Sequence, residues 1–191
     1  MRTSKPISTI SYNSPNFIKN KIDEWKSVGL IEYGMWIFHK AEQDEKKDHC
    51  HVYLKPAKLI QTMDLENDSI EIDPNNLDKP FKMVSFRISK ESDWLLYSIH
   101  DKSYLLEKGL SRSYHYSFDD VNTTCKDTLI DIISHLSDER KGRLEYRIIE
   151  CVQMGMSWTQ IVQSGIIPIR SMSNALIFYR SITDQIHNLI W

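Results

Sequence analysis

Cysteine is scarce in this chain: Cys50, Cys125 and Cys151 are the only three, and they lie far apart. An odd, dispersed set builds neither a disulfide framework nor a Cys-x-x-Cys zinc site, so a reducing cytoplasm is the expected compartment. Long hydrophobic runs are also missing. The opening Met-Arg-Thr-Ser-Lys-Pro has no apolar core of a signal peptide, and no run approaches the roughly 18 residues that a membrane span requires. Charge of one sign is lacking too, because 24 basic residues nearly balance 26 acidic ones. A protein that coats nucleic acid indiscriminately is usually basic, so any DNA contact here is expected to be local and aided by metal. Internal repeats and low-complexity tracts are absent. The 41% hydrophobic residues predict a packed core, and 191 residues suit one domain with an extension or two small ones.

One stretch stands out against this plain background. It runs from His39 to Leu54 and closes on His49-Cys50-His51-Val52-Tyr53-Leu54. Read as a strand, it turns His49 and His51 to one face and Cys50 and Val52 to the other. Two imidazoles side by side on a rigid strand can grip one metal ion, and His39 and Glu42 upstream supply further candidate ligands. A buried strand is predicted over residues 33–38, ending at His39. Two apolar strands joined by a charged loop pair most simply as antiparallel neighbours, which brings His39 towards His49 and His51.

The rest of the first half reads as alternating strands and helices. A short strand is expected at residues 7–12. Ser14-Pro15 then opens a helix, with Ser14 as cap and Pro15 in its first turn. Phe17, Ile18, Ile22, Trp25 and Leu30 form its apolar stripe, and Gly29 and Gly34 mark its exit. Residues 59–80 are strongly acidic and should lie away from a DNA backbone. There Asn67-Asp68 predicts a hairpin between 60–65 and 69–72. Residues 81–88 alternate like a strand. Ser89 or Ser92 is expected to cap a helix that stops at Lys108-Gly109. On that helix Tyr97, His100, Asp101 and Tyr104 would share one face. A last strand is predicted over 111–118.

The expected fold class is therefore α+β: a small antiparallel sheet with flanking helices over residues 1–122, followed by an all-helical segment over 123–191. Helices are predicted near 127–136, 138–154, 157–164 and 171–189, with Ser157 and Ser171 as caps and Gly155 and Gly165 as stops.

Three histidines and Glu42 around one ion would make a site of nitrogen and oxygen donors, suited to Mn, Fe, Co, Ni or Zn; the carboxylate also admits Mg. A structural zinc site is usually closed by four ligands, often thiolates, and Cys50 points away. An open coordination position suits Lewis-acid chemistry on a substrate oxygen. Tyr97 offers a nucleophile whose phenol, with a pKa near 10, needs its proton removed or its anion stabilised before it attacks.

The order His39-x-x-Glu42, His49-x-His51, then Tyr97-x-x-His100 and His115-Tyr116-Ser-Phe-Asp119 resembles the His-hydrophobe-His (HUH) endonucleases. The resemblance spans residues 5–122. More narrowly, it is to the rolling-circle replication initiators of Gram-positive plasmids and small phages. The resemblance implies an HUH-type endonuclease fold and a metal set of His49, His51, His39 and Glu42. It also implies Mn²⁺ or Mg²⁺ as cofactor and Tyr97 as the catalytic residue forming a 5′-phosphotyrosine. His100, Lys102 and Tyr104 would support it, Tyr104 as a competing nucleophile, with Lys102 and Arg112 contacting DNA. The implied partners are single-stranded or hairpin origin DNA and the helicase and polymerase of a bacterial host cell. The chain is too short for a helicase domain of its own and has no Gly-x-x-x-x-Gly-Lys-Ser/Thr loop. Cys50 stands where the family usually has a larger apolar residue, and Glu42 where the plasmid proteins usually have Asp.

For the C-terminal helices, homo-oligomerisation is the first expectation, through Ala175-Leu-Ile-Phe-Tyr179 with Ile182, Ile186 and Leu189. DNA binding is the second, because Ser157 to Gly165, Pro168 and a helix from Ser171 outline a helix-turn-helix. The competing functions are a non-catalytic, metal-stabilised DNA-binding regulator using that motif, and a transposase or relaxase of the same superfamily.

Overall fold

The computed structural model describes residues 1–41, 47–73, 78, 80–168 and 171–190, the side chains of 139–142 and 185–190 excepted. The chain is α+β and divides into two compact units. The first joins Met1–His100 to Ser113–Ile130, and the second joins Asp101–Arg112 to Asp131–Trp191.

The first unit is built on strands β1 (Arg2–Thr3), β2 (Ile7–Ser11), β3 (Ile31–His39), β4 (His49–Pro56), β5 (Ile60–Gln61), β6 (Ile70–Glu71), β7 (Phe81–Ile88) and β8 (Asn122–Thr123). Six of them form an antiparallel sheet in the order β6-β7-β2-β4-β3-β8, and β1 pairs separately with β5. The β3–β4 pairing sets His39 directly opposite His49 and Ile37 opposite His51.

Helix α1 (Pro15–Ser27) covers one face of the sheet. Ser14 caps it as its residue type dictates, the hydroxyl accepting from Phe17 N at 3.3 Å with Pro15 next in line. Ile18, Ile22 and Trp25 recur at helical spacing, are fully buried, and pack on Ile7, Trp36, Cys50, Val52 and Leu54. Each such side chain contributes about 1.5–3 kcal/mol of burial. Gly29 ends the excursion with φ +67. Gly34 is not part of that exit: it lies inside β3, beneath Ile22, where a Cβ would come within 2.6 Å of Ile22 Cγ2. Its role is to let helix and sheet approach.

Three local expectations fail for identifiable reasons. The hairpin expected after residue 59 is a helix, α2 (Thr62–Asp68), flanked by β5 and β6. It is anchored by Leu65 in the core and by Trp25 Nε1 donating to Asp68 at 2.7 Å, so Asn67-Asp68 ends a helix instead of turning a hairpin. The single helix expected through Tyr97 and Tyr104 is two: α3 (Glu91–Ser98) and α4 (Lys102–Glu107). Lys90, not Ser89 or Ser92, is the N-cap of α3, without a side-chain bond. His100 between the helices adopts φ +55, and Asp101 caps α4 by accepting from Tyr104 N at 2.9 Å. The four residues expected on one face therefore do not share a helix. Residues 111–117 are not a strand, and a 3-10 turn follows at Phe118–Asp120.

In the second unit α5 (Lys126–Gly142) runs in from the first and is followed by α6 (Leu144–Gln153), α7 (Trp158–Gln163) and α8 (Met172–Ile190). The break between α5 and α6 falls at Arg143, later than expected. Ile148, Cys151, Ile161, Ile167 and Ala175 make its core, and Leu106 of α4 packs with Ile149 and Ile182. Among the described residues no helix is long and apolar enough to cross a membrane.

Candidate metal centre

The face of β3 and β4 opposite α1 carries the histidines. Strand alternation sends Cys50 and Val52 into the α1 core, as expected, and leaves His49 and His51 on the other side beside His39. All three are buried, and one ligand nitrogen from each lies within 4.8 Å of the others. His49 Nε2 and His51 Nε2 stand 3.3 Å apart. Two nitrogens each 2.0–2.1 Å from one ion at a tetrahedral angle are separated by about 3.3 Å. The His49–His51 pair is therefore spaced as two ligands of one ion, and with His39 beside it the triad could hold a metal.

The tautomers are set from behind. A carbonyl can only accept, so His49 Nδ1 donates to Lys47 O at 2.9 Å, which leaves the Nε2 lone pair facing His51. His39 Nε2 donates to Ser98 O at 2.7 Å, which leaves Nδ1 as the nitrogen it could offer a metal. Backbone carbonyls in this position orient a ligand ring and raise its basicity. Ser98 is also the last residue of α3, so the negative end of that helix adjoins the triad, an arrangement favourable to a cation. Cys50 cannot compete as a ligand because it faces the α1 core, where burial also pushes its thiol up to about 12.

Aromatic side chains complete the surroundings. The Tyr116 ring lies flat on His39, 4.3 Å between centroids and 5° between planes. The Tyr97 ring stands edge-on to His51 at 5.6 Å and remains 36% exposed. It is thus both close to the triad and open to solvent. His100 is buried with its ring 4.7 Å from that of His39. It is held behind the triad, its Nδ1 donating to Tyr114 O at 2.9 Å. Residues 113–117 act as a strap on the end of α3. Besides that bond, Tyr116 N donates to Ile99 O at 2.9 Å and His115 Nδ1 donates to His100 O.

On the same side of the sheet, beyond the triad, Ile10 and Val84 leave β2 and β7 uncovered among the described residues. Ile10 is paired with His51 across β2 and β4 and with Val84 across β2 and β7. Ile10, Tyr12 and Val84 are all exposed, and the Tyr12 ring is 6.2 Å from that of His49. A cleft of about 780 Å³ opens there, lined by Tyr12, Lys47, Asp48, Phe81, Lys82 and Val84 among others.

The structure thus brings His39, His49, His51, Tyr97 and His100 together in the first unit. Glu42 lies outside the described residues. Lys102, Tyr104 and Arg112 belong to the second unit. The sequence reading missed three features: the Ser98 carbonyl, the stacking role of Tyr116, and the open Ile10-Tyr12-Val84 face. Tyr116 had a signal in the His115-Tyr116 motif; the open face follows only from the strand register. Compared with known proteins, the chain matches no family model, no curated protein and no solved structure.

Proposed function

We propose that this chain is a metal-dependent DNA nicking and joining enzyme of the HUH type, acting as a rolling-circle replication initiator on single-stranded or hairpin DNA. The observation that carries this reading is the exposed Tyr97 phenol beside a buried triad of imidazoles, two of them, His39 and His49, oriented by backbone carbonyls. His39 Nδ1, His49 Nε2 and a nitrogen of His51 would hold the ion. Three imidazoles suit Mn²⁺ better than Mg²⁺, which prefers oxygen donors and retained waters.

When bound, the divalent cation supplies Lewis-acid polarisation of a phosphate oxygen. The remaining work falls to the chain. Tyr97 Oη forms a bond to phosphorus, the bond from phosphorus to the 3′-oxygen breaks, and the phenolic proton leaves as the 3′-oxygen gains one through solvent. The 5′ side of the break is then held as a phosphotyrosine. The ester is conserved, so reversal rejoins a strand without ATP. Exposed Tyr12 offers a ring on which an unpaired base stacks, a contact worth about 1–3 kcal/mol, with exposed Ile10 and Val84 as apolar neighbours.

The test is incubation of the protein with Mn²⁺ and single-stranded DNA hairpins, followed by a denaturing gel. A covalent protein–DNA band is expected, and Tyr97→Phe should remove it while leaving Mn²⁺ binding intact. An undiminished band in Tyr97→Phe would overturn the assignment of the nucleophile. No band with any hairpin, alongside intact duplex binding, would favour the non-catalytic regulator.

A further inference from the structure

Tyr97 rides on α3, and the apolar packing of that helix does not by itself settle which way Tyr97 faces. Trp94, Leu95 and Leu96 are consecutive and all buried, so at 3.6 residues per turn the buried surface spans about 200° of the helix. Burial is non-directional, and a helix apolar over most of its circumference packs nearly as well after a small rotation. A phenol at the rim of a helix, ~6 Å from its axis, moves about 2 Å when the helix turns by about 20°. Directional bonds must set the rotation instead, and one lies at each end of α3. At the C-terminal end Ser98 O accepts from His39 Nε2 at 2.7 Å. At the N-terminal end Glu91 Oε1 accepts from the buried Tyr33 Oη of β3 at 2.5 Å. A second phenol stands beside the first. Tyr53 of β4 is stacked on Tyr33 with ring centroids 6.3 Å apart, and its Oη is buried without a hydrogen-bond partner. Burial, and then the Glu91 carboxylate, raise both phenols above their usual value, so both remain protonated donors at neutral pH.

We propose that Glu91 is a positioning residue for the Tyr97 phenol: its bond to Tyr33, with the Ser98 carbonyl at the other end, fixes the rotation of α3 that holds Tyr97 at the triad. Its consequence for the reaction rests on the reading of Tyr97 as the nucleophile. Glu91 touches no reacting atom and acts through the helix. Misplacing a reacting group by about 1 Å costs on the order of 100-fold in rate, so one remote bond is enough to matter. Tyr53 gives the device a spare part. Its unpartnered Oη lies within the electrostatic reach of the same carboxylate, ready to replace Tyr33 Oη as donor.

The experiment reads two quantities on the full chain. One is the single-turnover rate of adduct formation at saturating Mn²⁺ and single-stranded hairpin. The other is the fluorine NMR resonance of Tyr97 in protein labelled with fluorotyrosine, identified by its loss in Tyr97→Phe. Glu91→Ala should slow the adduct roughly 10- to 100-fold while hairpin affinity stays within about twofold, the signature of lost positioning. The Tyr97 resonance should shift or broaden in the same variant. Glu91→Gln, whose amide oxygen still accepts, should restore most of the rate. Tyr33→Phe should fall between, and Tyr33→Phe with Tyr53→Phe should match Glu91→Ala. If Glu91→Ala does not fold, the double phenylalanine variant, which keeps every ring, carries the test. A wild-type rate in either of these variants overturns the proposal, as does a Tyr97 resonance that neither one moves. If the wild type forms no adduct with any hairpin, the nicking reading fails, and the resonance alone decides whether Glu91 positions Tyr97.

Discussion

If the three imidazoles hold an ion, metal and stability are linked, and the linkage can be dissected by strand face. At a Mn²⁺ concentration of 100 times its dissociation constant, the folded state gains about 2.7 kcal/mol. For a chain of 191 residues, each kcal/mol raises the melting temperature by about 2–4 °C, so the shift should be roughly 5–10 °C. His39→Ala removes one donor of three. It also removes the ring between Tyr116 and the Ser98 carbonyl, leaving a cavity in a fully buried position. Such truncations cost about 2–5 kcal/mol with or without metal. The absolute melting temperature therefore falls in both conditions, and the informative quantity is the difference that Mn²⁺ makes. A hundredfold loss of affinity reduces the gain at the same concentration to about 0.4 kcal/mol, a shift of roughly 1–2 °C. Cys50→Ala is the control. Its side chain lies between the two ligand positions in sequence but faces the α1 core, so this variant should lose packing and keep the full Mn²⁺ shift. Differential scanning fluorimetry, with and without Mn²⁺, reads all three proteins. An intact shift in His39→Ala, or an abolished one in Cys50→Ala, would refute the placement of the site.

Further outcomes follow from packing and titration. Gly34→Ala places a methyl 2.6 Å from Ile22 Cγ2 and 3.2 Å from Leu54 Cδ2, and a β-branched residue on a helix such as Ile22 strongly prefers one χ1 rotamer. Overpacking of this kind costs about 1–3 kcal/mol, and in urea titrations the double variant with Ile22→Ala should lose less than the sum of the two. At His100 the left-handed backbone disfavours side chains other than Gly and Asn, so His100→Asn should be more stable than His100→Ala by about 1 kcal/mol. Equal stabilities would mean that the backbone there is relaxed. In native alkylation followed by mass spectrometry, Cys125 should react first, because the Thr128 hydroxyl donates to its sulfur at 3.1 Å and holds the thiol below its usual value. Thr128→Val should slow that reaction, and Cys50 should react last. Alkali should destabilise the first unit. Burial raises Cys50 from 9.0 to about 12, and it likewise raises Tyr33 and Tyr53. Above pH 9 the unfolded Cys50 thiol binds fewer protons than the folded one, so stability falls as pH rises through that window. A flat stability curve from pH 8 to 11 would contradict this.

What could be read from sequence was governed by local chemistry. Ser14-Pro15 starts α1 because a cap and a preset φ act on their own neighbours. The split of His49 and His51 from Cys50 follows from the two-residue period of any strand, and the polar loop between two apolar runs was enough to bring His39 opposite His49. The failures share a different cause. Helix α2 is seven residues long with no side-chain cap bond, so tertiary anchors at Leu65 and Asp68 decide it. No glycine or proline marks the end of α3; hydrogen bonds from residues 113–117 accompany the break, and those same bonds occupy groups that a strand over 111–118 would have used. The open Ile10-Tyr12-Val84 surface needed the register of three strands, which no local pattern carries.

The strap over His39 has a consequence for the order in which the protein is made. Both histidines of β4, His39 and Tyr97 are synthesised before residue 100, yet Tyr116 and β8 come only after the chain has laid down α4, which belongs to the other unit. A nascent chain that has just passed Tyr97 holds every ligand of the triad without the ring that covers it. Completion of the corner therefore waits on an excursion through the neighbouring unit and back. The same holds for a protein cut between residues 101 and 112: no triad residue would be lost, and the lid over His39 would remain only by its noncovalent hold on the end of α3.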